Sequence, residues 1–186
     1  MSALLQNDEH DIIKRCQKGD GDAYAVLVDR YQSLAYTVAC RMLGDADTAN
    51  DIAQESFISA YGGLKHFRFG SKFSSWLTSI VLNKCRDHLR SRRVLVGIDE
   101  IAEISETGRR NPEQEASAGE SGEAVQKALN SLSPDYREVI ILKHIEELDY
   151  QTISEILGVG IPALKVRAHR GREMLKDLLI RSGVTP

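Results

Sequence analysis

The sequence predicts an all-α protein: two small helical domains joined by a flexible acidic linker. Three observations lead there. Apolar residues recur at spacings of three and four over most of the chain, as a buried helical stripe requires. No stretch sustains the apolar/polar alternation of a strand, and turn dipeptides do not punctuate short β-branched runs. From about Val96 to Ser121 the stripe gives way to acidic and small residues, including Gly108, Pro112 and Gly119. The expected units are a four-helix domain over 1–94, a linker over 95–122 and a helix-turn-helix domain over 123–186.

Taken in order, Asp8 to Lys18 reads as a short amphipathic helix ended by Gly19-Asp20-Gly21. Asp22 is the expected cap of the next helix. Its inner face is Ala23, Leu27, Tyr31, Leu34, Val38 and Met42, and Gly44 stops it in the left-handed position that closes many helices. Asp45 then caps a third helix with Ala49, Ile52, Ala53, Phe57 and Ala60 turned inward. Its other side carries Asp47, Asp51, Gln54 and Glu55. Charges on a helix face are usually no more than solvated surface. Here, however, no Lys or Arg occurs between Asp45 and Tyr61, so these acids have no partner along their own helix. Such a face suits docking onto a basic protein surface.

Gly62 to Lys72 is a loop mixing glycine, aromatics and cations: His66, Phe67, Arg68, Phe69, Ser71 and Lys72 follow one another closely. Rings that stack on bases among cations that meet phosphates are the means of gripping single strands, although Phe67 and Phe69 can equally plug the core. A fourth helix buries Phe73, Trp76, Leu77, Ile80, Val81, Cys85 and Leu89. Asn83, Arg86, Asp87 and Arg90 align on the opposite face, offering donors and acceptors to base edges, and Arg90-Ser91-Arg92-Arg93 ends the helix as a phosphate-binding terminus. The linker follows, with a short turn expected at Ile98 to Ile104. About 25 extended residues reach on the order of 80 Å. That exceeds the ~34–36 Å of one duplex turn.

A helix from about Glu123 to Leu132 leads into Ser133 to Lys176. Ser133-Pro134 is a helix start, with serine able to cap and proline suited to the first turn. Val139 to Leu142 and Ile145 make this helix strongly apolar, Asp149 caps a short second one, and Gly158 supplies the turn before the third. At about 100° per residue, Ile161, Leu164, Ala168, Gly171 and Leu175 pack inward on that last helix. Pro162, Val166, His169, Arg170 and Glu173 face out, flanked by Lys165, Arg172 and Arg167. This is the helix-turn-helix pattern, whose last helix enters the major groove. Arginine grips guanine edges, flanking cations fix the register on phosphates, and Val166 can meet a thymine methyl. The competing reading is an ordinary basic helix closing a bundle.

Composition limits the remaining choices. With 42% hydrophobic and 27% charged residues in 186, the chain is that of a globular protein able to bury a core. A net charge of −3 and a pI near 6.0 are unusual for an autonomous DNA binder. The cations are nevertheless segregated, in one cluster from Lys84 to Arg93 and another from Lys165 to Lys176, with acids between. Two nucleic-acid contacts, helped by a partner that supplies affinity, fit that distribution. Cys16, Cys40 and Cys85 lack metal-ligand spacing and read as buried thiols of a cytoplasmic protein, and a redox role for Cys85 has little behind it. No signal peptide or membrane span is expected, nor any metal or cofactor. No phosphate-cradling glycine motif, nucleophile elbow or His/Cys metal set suggests an enzyme.

Three stretches carry a resemblance to a known family. DADTANDIAQESFISAY resembles the region 2 helix by which extracytoplasmic-function sigma factors bind the clamp of bacterial RNA polymerase. FRFGSKFSSWLTSIVLNKCRDHLRSRR resembles their segment that melts and reads the −10 promoter element. LSPDYREVIILKHIEELDYQTISEILGVGIPALKVRAHRGREML resembles region 4, which reads the −35 element. Each is moderately specific alone, and together in this order they are strongly so.

The resemblance implies a promoter-specificity subunit with core polymerase (clamp and flap), promoter DNA and an anti-sigma factor as partners. It implies that Asp51, Gln54 and Glu55 dock on the clamp, supported by Asp47 and Phe57. His66 to Lys72 would capture a flipped −10 base, with Asn83, Lys84, Arg86 and Arg90 on that strand. Lys165, His169 and Arg170 would read the −35 duplex, among Val166, Arg167 and Arg172. Gly160, Pro162 and Val166 depart from the serine, glycine and serine frequent in that helix, and Val166 points to a different −35 sequence. Gly62-Gly63 replaces bulkier residues, pointing to a looser loop. The alternative is an autonomous helix-turn-helix regulator binding duplex as a dimer, against which stand the acidic pI and the lack of a dimerisation segment.

Overall fold

The computed structural model describes residues 2–96 and 119–183, with side chains over 8–92 and 122–183. Helices account for nearly all of it, and among the described residues no β-strand forms beyond an isolated bridge between Phe69 and Ser71. The N-terminal half consists of α1 (Ser2–Gln17), α2 (Gly21–Leu43), α3 (Ala46–Gly63), a 3-10 turn (Leu64–His66) and α4 (Phe73–Val96). The C-terminal half consists of α5 (Gly119–Ser131), α6 (Pro134–Ile140), a π-helical turn over Ile141–Ile145, α7 (Tyr150–Leu157) and α8 (Ile161–Arg181).

Local chemistry sets the boundaries. Asp20, rather than Asp22, caps α2: its carboxylate accepts the amide of Ala23 at 3.0 Å, while Asp22 lies within the first turn. The difference arises because Gly19, at φ +93°, turns the chain early enough for the helix to begin at Gly21. Asp45 caps α3 through the Thr48 amide at 2.8 Å, and Asp149 caps α7 through the Thr152 amide at 2.8 Å. Ser133 does not cap α6 with its hydroxyl. Its carbonyl receives the Tyr136 and Arg137 amides, and Pro134 takes the first turn, where no donor is needed. Helices α4 and α5 both reach into the stretch expected as linker, ending at Val96 and starting at Gly119. The expected turn at Ile98 to Ile104 lies outside the described residues.

The inward stripes meet as anticipated from their spacing: Leu27, Val38 and Met42 of α2 pack with Ala49 and Phe57 of α3 and with Phe73, Leu77 and Val81 of α4. The core does not stop at the end of this half. Val139, Ile141, Leu142, Ile153, Ile156 and Leu164 belong to the same cluster, so the halves share one apolar interior. A smaller cluster of Leu129, Leu132 and Ile140 sits beneath Leu175 and Leu178 of α8. Two glycines permit the close approaches. Gly44 closes α2 at φ +74°, and a Cβ there would lie 2.3 Å from the Asn130 amide nitrogen of α5. A Cβ on Gly171 would lie 3.0 Å from Ile140, so α8 can press on α6 only at a glycine.

Candidate nucleic-acid interface

The acidic face of α3 stands clear of the protein. Asp47, Asp51, Gln54 and Glu55 are exposed, and Ile58, one turn beyond Gln54, is 72% exposed. Sequence reasoning missed Ile58, although an isoleucine at the spacing of the polar face is the signal that could have found it. Phe57 points the other way, into the core, and its carbonyl accepts the Tyr24 hydroxyl at 2.5 Å. It can support the acidic face only from beneath. Among the described residues these acids find one cation on a neighbouring helix: Lys84 of α4 lies 3.3 Å from Glu55.

The loop between α3 and α4 divides its aromatics. Phe67 is buried, set edge-on to Phe73 and Trp76 with centroids 6.1 and 5.2 Å away. Phe69 remains 43% exposed, edge-on to His10 of α1 and within 5.9 Å of the Lys14 ammonium. Of the two rings, Phe69 is the one a base could reach. His66, Arg68 and Lys72 are exposed around it, with Ser71 half-buried. Gln17 pins the loop to α1 by donating to the Leu64 carbonyl at 3.0 Å. A Cβ on Gly63 would lie 3.3 Å from the Trp76 ring, so that glycine makes room for the indole, while Gly62 borders open space.

On α4, Asn83, Asp87 and Arg90 are exposed, and Arg90 pairs with Asp87 at 3.4 Å. Arg86 is drawn off that face: its guanidinium lies 3.4 Å from Glu138 of α6. Glu138 is 2% exposed, and burial pushes its carboxyl above the usual range while Arg86 opposes that shift. A charged Arg137-Glu138 pair at the head of the apolar run Val139 to Leu142 was the sequence signal for this contact, and it went unread. Cys85 beside Arg86 is buried, and burial raises its thiol to about 12, which leaves no thiolate for redox sensing near neutral pH.

In the last helix Leu164, Ala168 and Gly171 are buried, while Lys165, Val166, His169, Arg170 and Arg172 are exposed. Val166 is 51% exposed and borders a shallow groove with Ala163, Arg167, Arg170, Asp135 and Tyr136. Arg167 is less free than its neighbours, since Asp135 holds its guanidinium at 3.1 Å. The arrangement offers exposed cations around one apolar contact on a convex helix, which can enter a major groove. Among the described residues no cluster of metal-ligating side chains forms, and no helix is long and apolar enough to cross a membrane.

Known proteins match both halves. The Sigma-70 region 2 family matches residues 27–94, and the Sigma-70 region 4 family matches residues 122–175. The chain is 38% identical over 178 residues to the ECF RNA polymerase sigma factor SigW of Bacillus subtilis, covering 90% of this chain and 94% of SigW. Among solved structures it resembles the sigma factor RpoE of Bartonella quintana in complex with the anti-sigma factor NepR. There the TM-score is 0.70 at 28% identity, over 84% of this chain and 96% of RpoE. CnrH in complex with the cytosolic domain of CnrY gives a TM-score of 0.69 at 27% identity, over 93% of this chain and 97% of CnrH.

Proposed function

From a chain that belongs to the extracytoplasmic-function sigma factors of bacterial RNA polymerase, we infer a division of promoter recognition between its two helical halves. The protein is a promoter-specificity subunit that binds core polymerase and directs initiation through −10 and −35 contacts. The first half, over 1–94, is assigned to the polymerase and the −10 element, the stretch 95–122 to the connection, and 123–186 to the −35 element.

Asp51, Gln54 and Glu55 dock on the polymerase clamp, with Asp47 at the edge of the face and Phe57 stiffening it from inside. Phe69, with His66, Arg68, Ser71 and Lys72, receives the displaced −10 base, while Phe67 anchors the loop. Asn83, Lys84, Arg86 and Arg90 meet that strand. Lys165, Val166, Arg167, His169, Arg170 and Arg172 meet the −35 duplex, and region 4 also meets the polymerase flap. The observation carrying this reading is the joint match of both regions, in order, in one chain whose acidic α3 face and basic α8 face are both open to solvent.

Its work is binding energy spent on separated strands rather than catalysis, done in the cytoplasm beside the polymerase. The structural relatives bound to NepR and CnrY support an anti-sigma partner here. Transcription by core polymerase plus this chain on fragmented genomic DNA, with start sites mapped, tests the reading. Initiation at a discrete promoter set is expected. Failure to bind core, or starts no different from core alone, sinks it.

A further inference from the structure

One face of α1 lies along the loop between α3 and α4. His10, Lys14 and Gln17 are four and three residues apart, so they share that face. Gln17 donates to the Leu64 and Phe67 carbonyls at 3.0 and 3.5 Å. His10 meets the Phe69 ring edge-on with centroids 5.2 Å apart, and Phe67 meets it edge-on at 5.8 Å. The Lys14 ammonium lies over the same ring, 5.9 Å from its centroid, within the range of cation–π attraction. Phe69 is therefore held in a corner between α1 and the core, with 43% of it still open. Among the described residues, the ion-pair partner of Lys14 is Asp11, 3.6 Å away and one turn back on α1, and both side chains are well exposed.

We propose that Lys14 binds the backbone phosphate adjoining the base that stacks on Phe69, which makes α1 a third strand-binding element beside the loop and α4. The proposal rests on the assignment of Phe69 as the base platform made above. An aromatic ring takes up a base but does nothing for the charge of the backbone that arrives with it. Among the described residues Lys14 is the cation that stands over this ring, so a nucleotide stacking there brings its phosphate to an ammonium already in place. The flexible four-carbon stem lets that ammonium turn from the ring to the anion. Asp11 yields it at little cost, since a solvent-screened pair on a helix surface is weak. A phosphate contact carries no base information, so Lys14 fixes where the captured nucleotide sits and leaves its identity to the loop.

The test uses holoenzyme assembled from core polymerase and the full chain, titrated against the fluorescein-labelled non-template −10 strand of a mapped promoter and read by anisotropy. Two sets of strands accompany it. One carries an abasic site at each −10 position in turn, and the captured base is the one whose removal cancels the effect of Phe69→Ala. The other replaces each −10 phosphate in turn by an uncharged methylphosphonate. Lys14→Gln should weaken binding roughly two- to fivefold, the range of an exposed charge contact, and Lys14→Arg should restore it. Lys14 is exposed on a helix that either replacement suits, so folding is not at stake. At one of the two linkages adjoining the captured nucleotide, the methylphosphonate strand should bind wild type and Lys14→Gln equally. A merely structural role for Lys14 would leave their ratio unchanged at every linkage. Wild-type affinity for Lys14→Gln, a loss that persists on every methylphosphonate strand, or one that vanishes only at a linkage remote from the captured base overturns the proposal while Phe69→Ala still shows its loss. Phe69→Ala binding every strand as wild type does removes the platform reading itself, and the proposal with it.

Discussion

Lys84 on α4 and Glu55 on α3 meet at 3.3 Å, so the surface proposed to meet the polymerase and the surface proposed to meet promoter DNA share a charge pair. On the proposed assignments, docking of a basic clamp on α3 would engage Glu55 and release Lys84 toward the strand. The two proposed contacts would then be coupled through one carboxylate.

Two substitutions on α3 separate docking from stability. Glu55→Gln should weaken core binding while shifting the unfolding free energy by less than about 1 kcal/mol, because the pair is solvent-screened. Asp51→Lys reverses a charge at the centre of the face and should lower core affinity at least about tenfold with region 4 still folded, on the order of the cost of a like-charge juxtaposition. Competition against a labelled sigma factor, alongside thermal melts, reads both. Normal core binding by Asp51→Lys would remove the clamp assignment.

The loop aromatics should behave oppositely. Phe67→Ala empties a core site among Phe73 and Trp76 and should cost about 3–5 kcal/mol in denaturant unfolding. Phe69→Ala removes a half-exposed ring, so its midpoint should scarcely move while open-complex formation at the mapped promoter falls. Permanganate footprinting of the −10 region with both variants distinguishes a structural plug from a base platform. If Phe69→Ala opens promoters normally, the platform is elsewhere.

On α8, Arg170→Ala should relax one −35 position and cost about 1–3 kcal/mol. Val166→Ser should instead change which base is preferred, since it exchanges a methyl contact for a hydroxyl. Selection from a library randomised across the −35 element distinguishes relaxation from altered preference. Unchanged profiles for both would take the −35 contact away from this face.

The α3 cap gives a pH signature. Hydrogen bonds from Thr48 hold the Asp45 carboxyl below its usual range. A folded pKa below the unfolded one means stability present above the unfolded value of 3.8 and lost as pH falls through the folded value. Asp45→Ala should therefore cost about 1 kcal/mol at neutral pH. Denaturant melts should show that cost shrinking below about pH 4, where wild type loses the carboxylate as well. A cost constant from neutral pH to pH 3 would mean that Asp45 caps without its charge.

The helical plan was legible because it rests on local signals. Stripes such as Leu27-Val38-Met42, the caps Asp45 and Asp149, and the left-handed Gly44 and Gly158 are all written within a few residues. The acidic face of α3 and the outward face of α8 were legible for the same reason. What was not legible is long-range. Nothing near Gly44 announces Asn130, and the charged Arg137-Glu138 pair that heads an apolar run signals a buried charge without naming Arg86 as its partner, since those contacts depend on how two halves pack. Phe67 and Phe69 were indistinguishable as neighbours in a loop until the positions of α1 and α4 decided which ring turned inward. The first acidic cap was misread because Asp20 and Asp22 are chemically alike, and only the turn at Gly19 separates them.

The hold of Asp135 on Arg167 has a consequence for how this chain answers to salt. Most cations on a DNA-binding helix meet the duplex by displacing condensed sodium or potassium, and each such exchange steepens the decline of affinity with ionic strength. Arg167 arrives with a counterion that is part of the protein. If Arg167 meets the duplex as proposed, its move from the carboxylate leaves Asp135 unpaired, and any small cation drawn to Asp135 offsets part of what the duplex releases. The −35 contact should thus show a shallower salt slope than its number of basic residues suggests, steepening when Asp135 is replaced by asparagine.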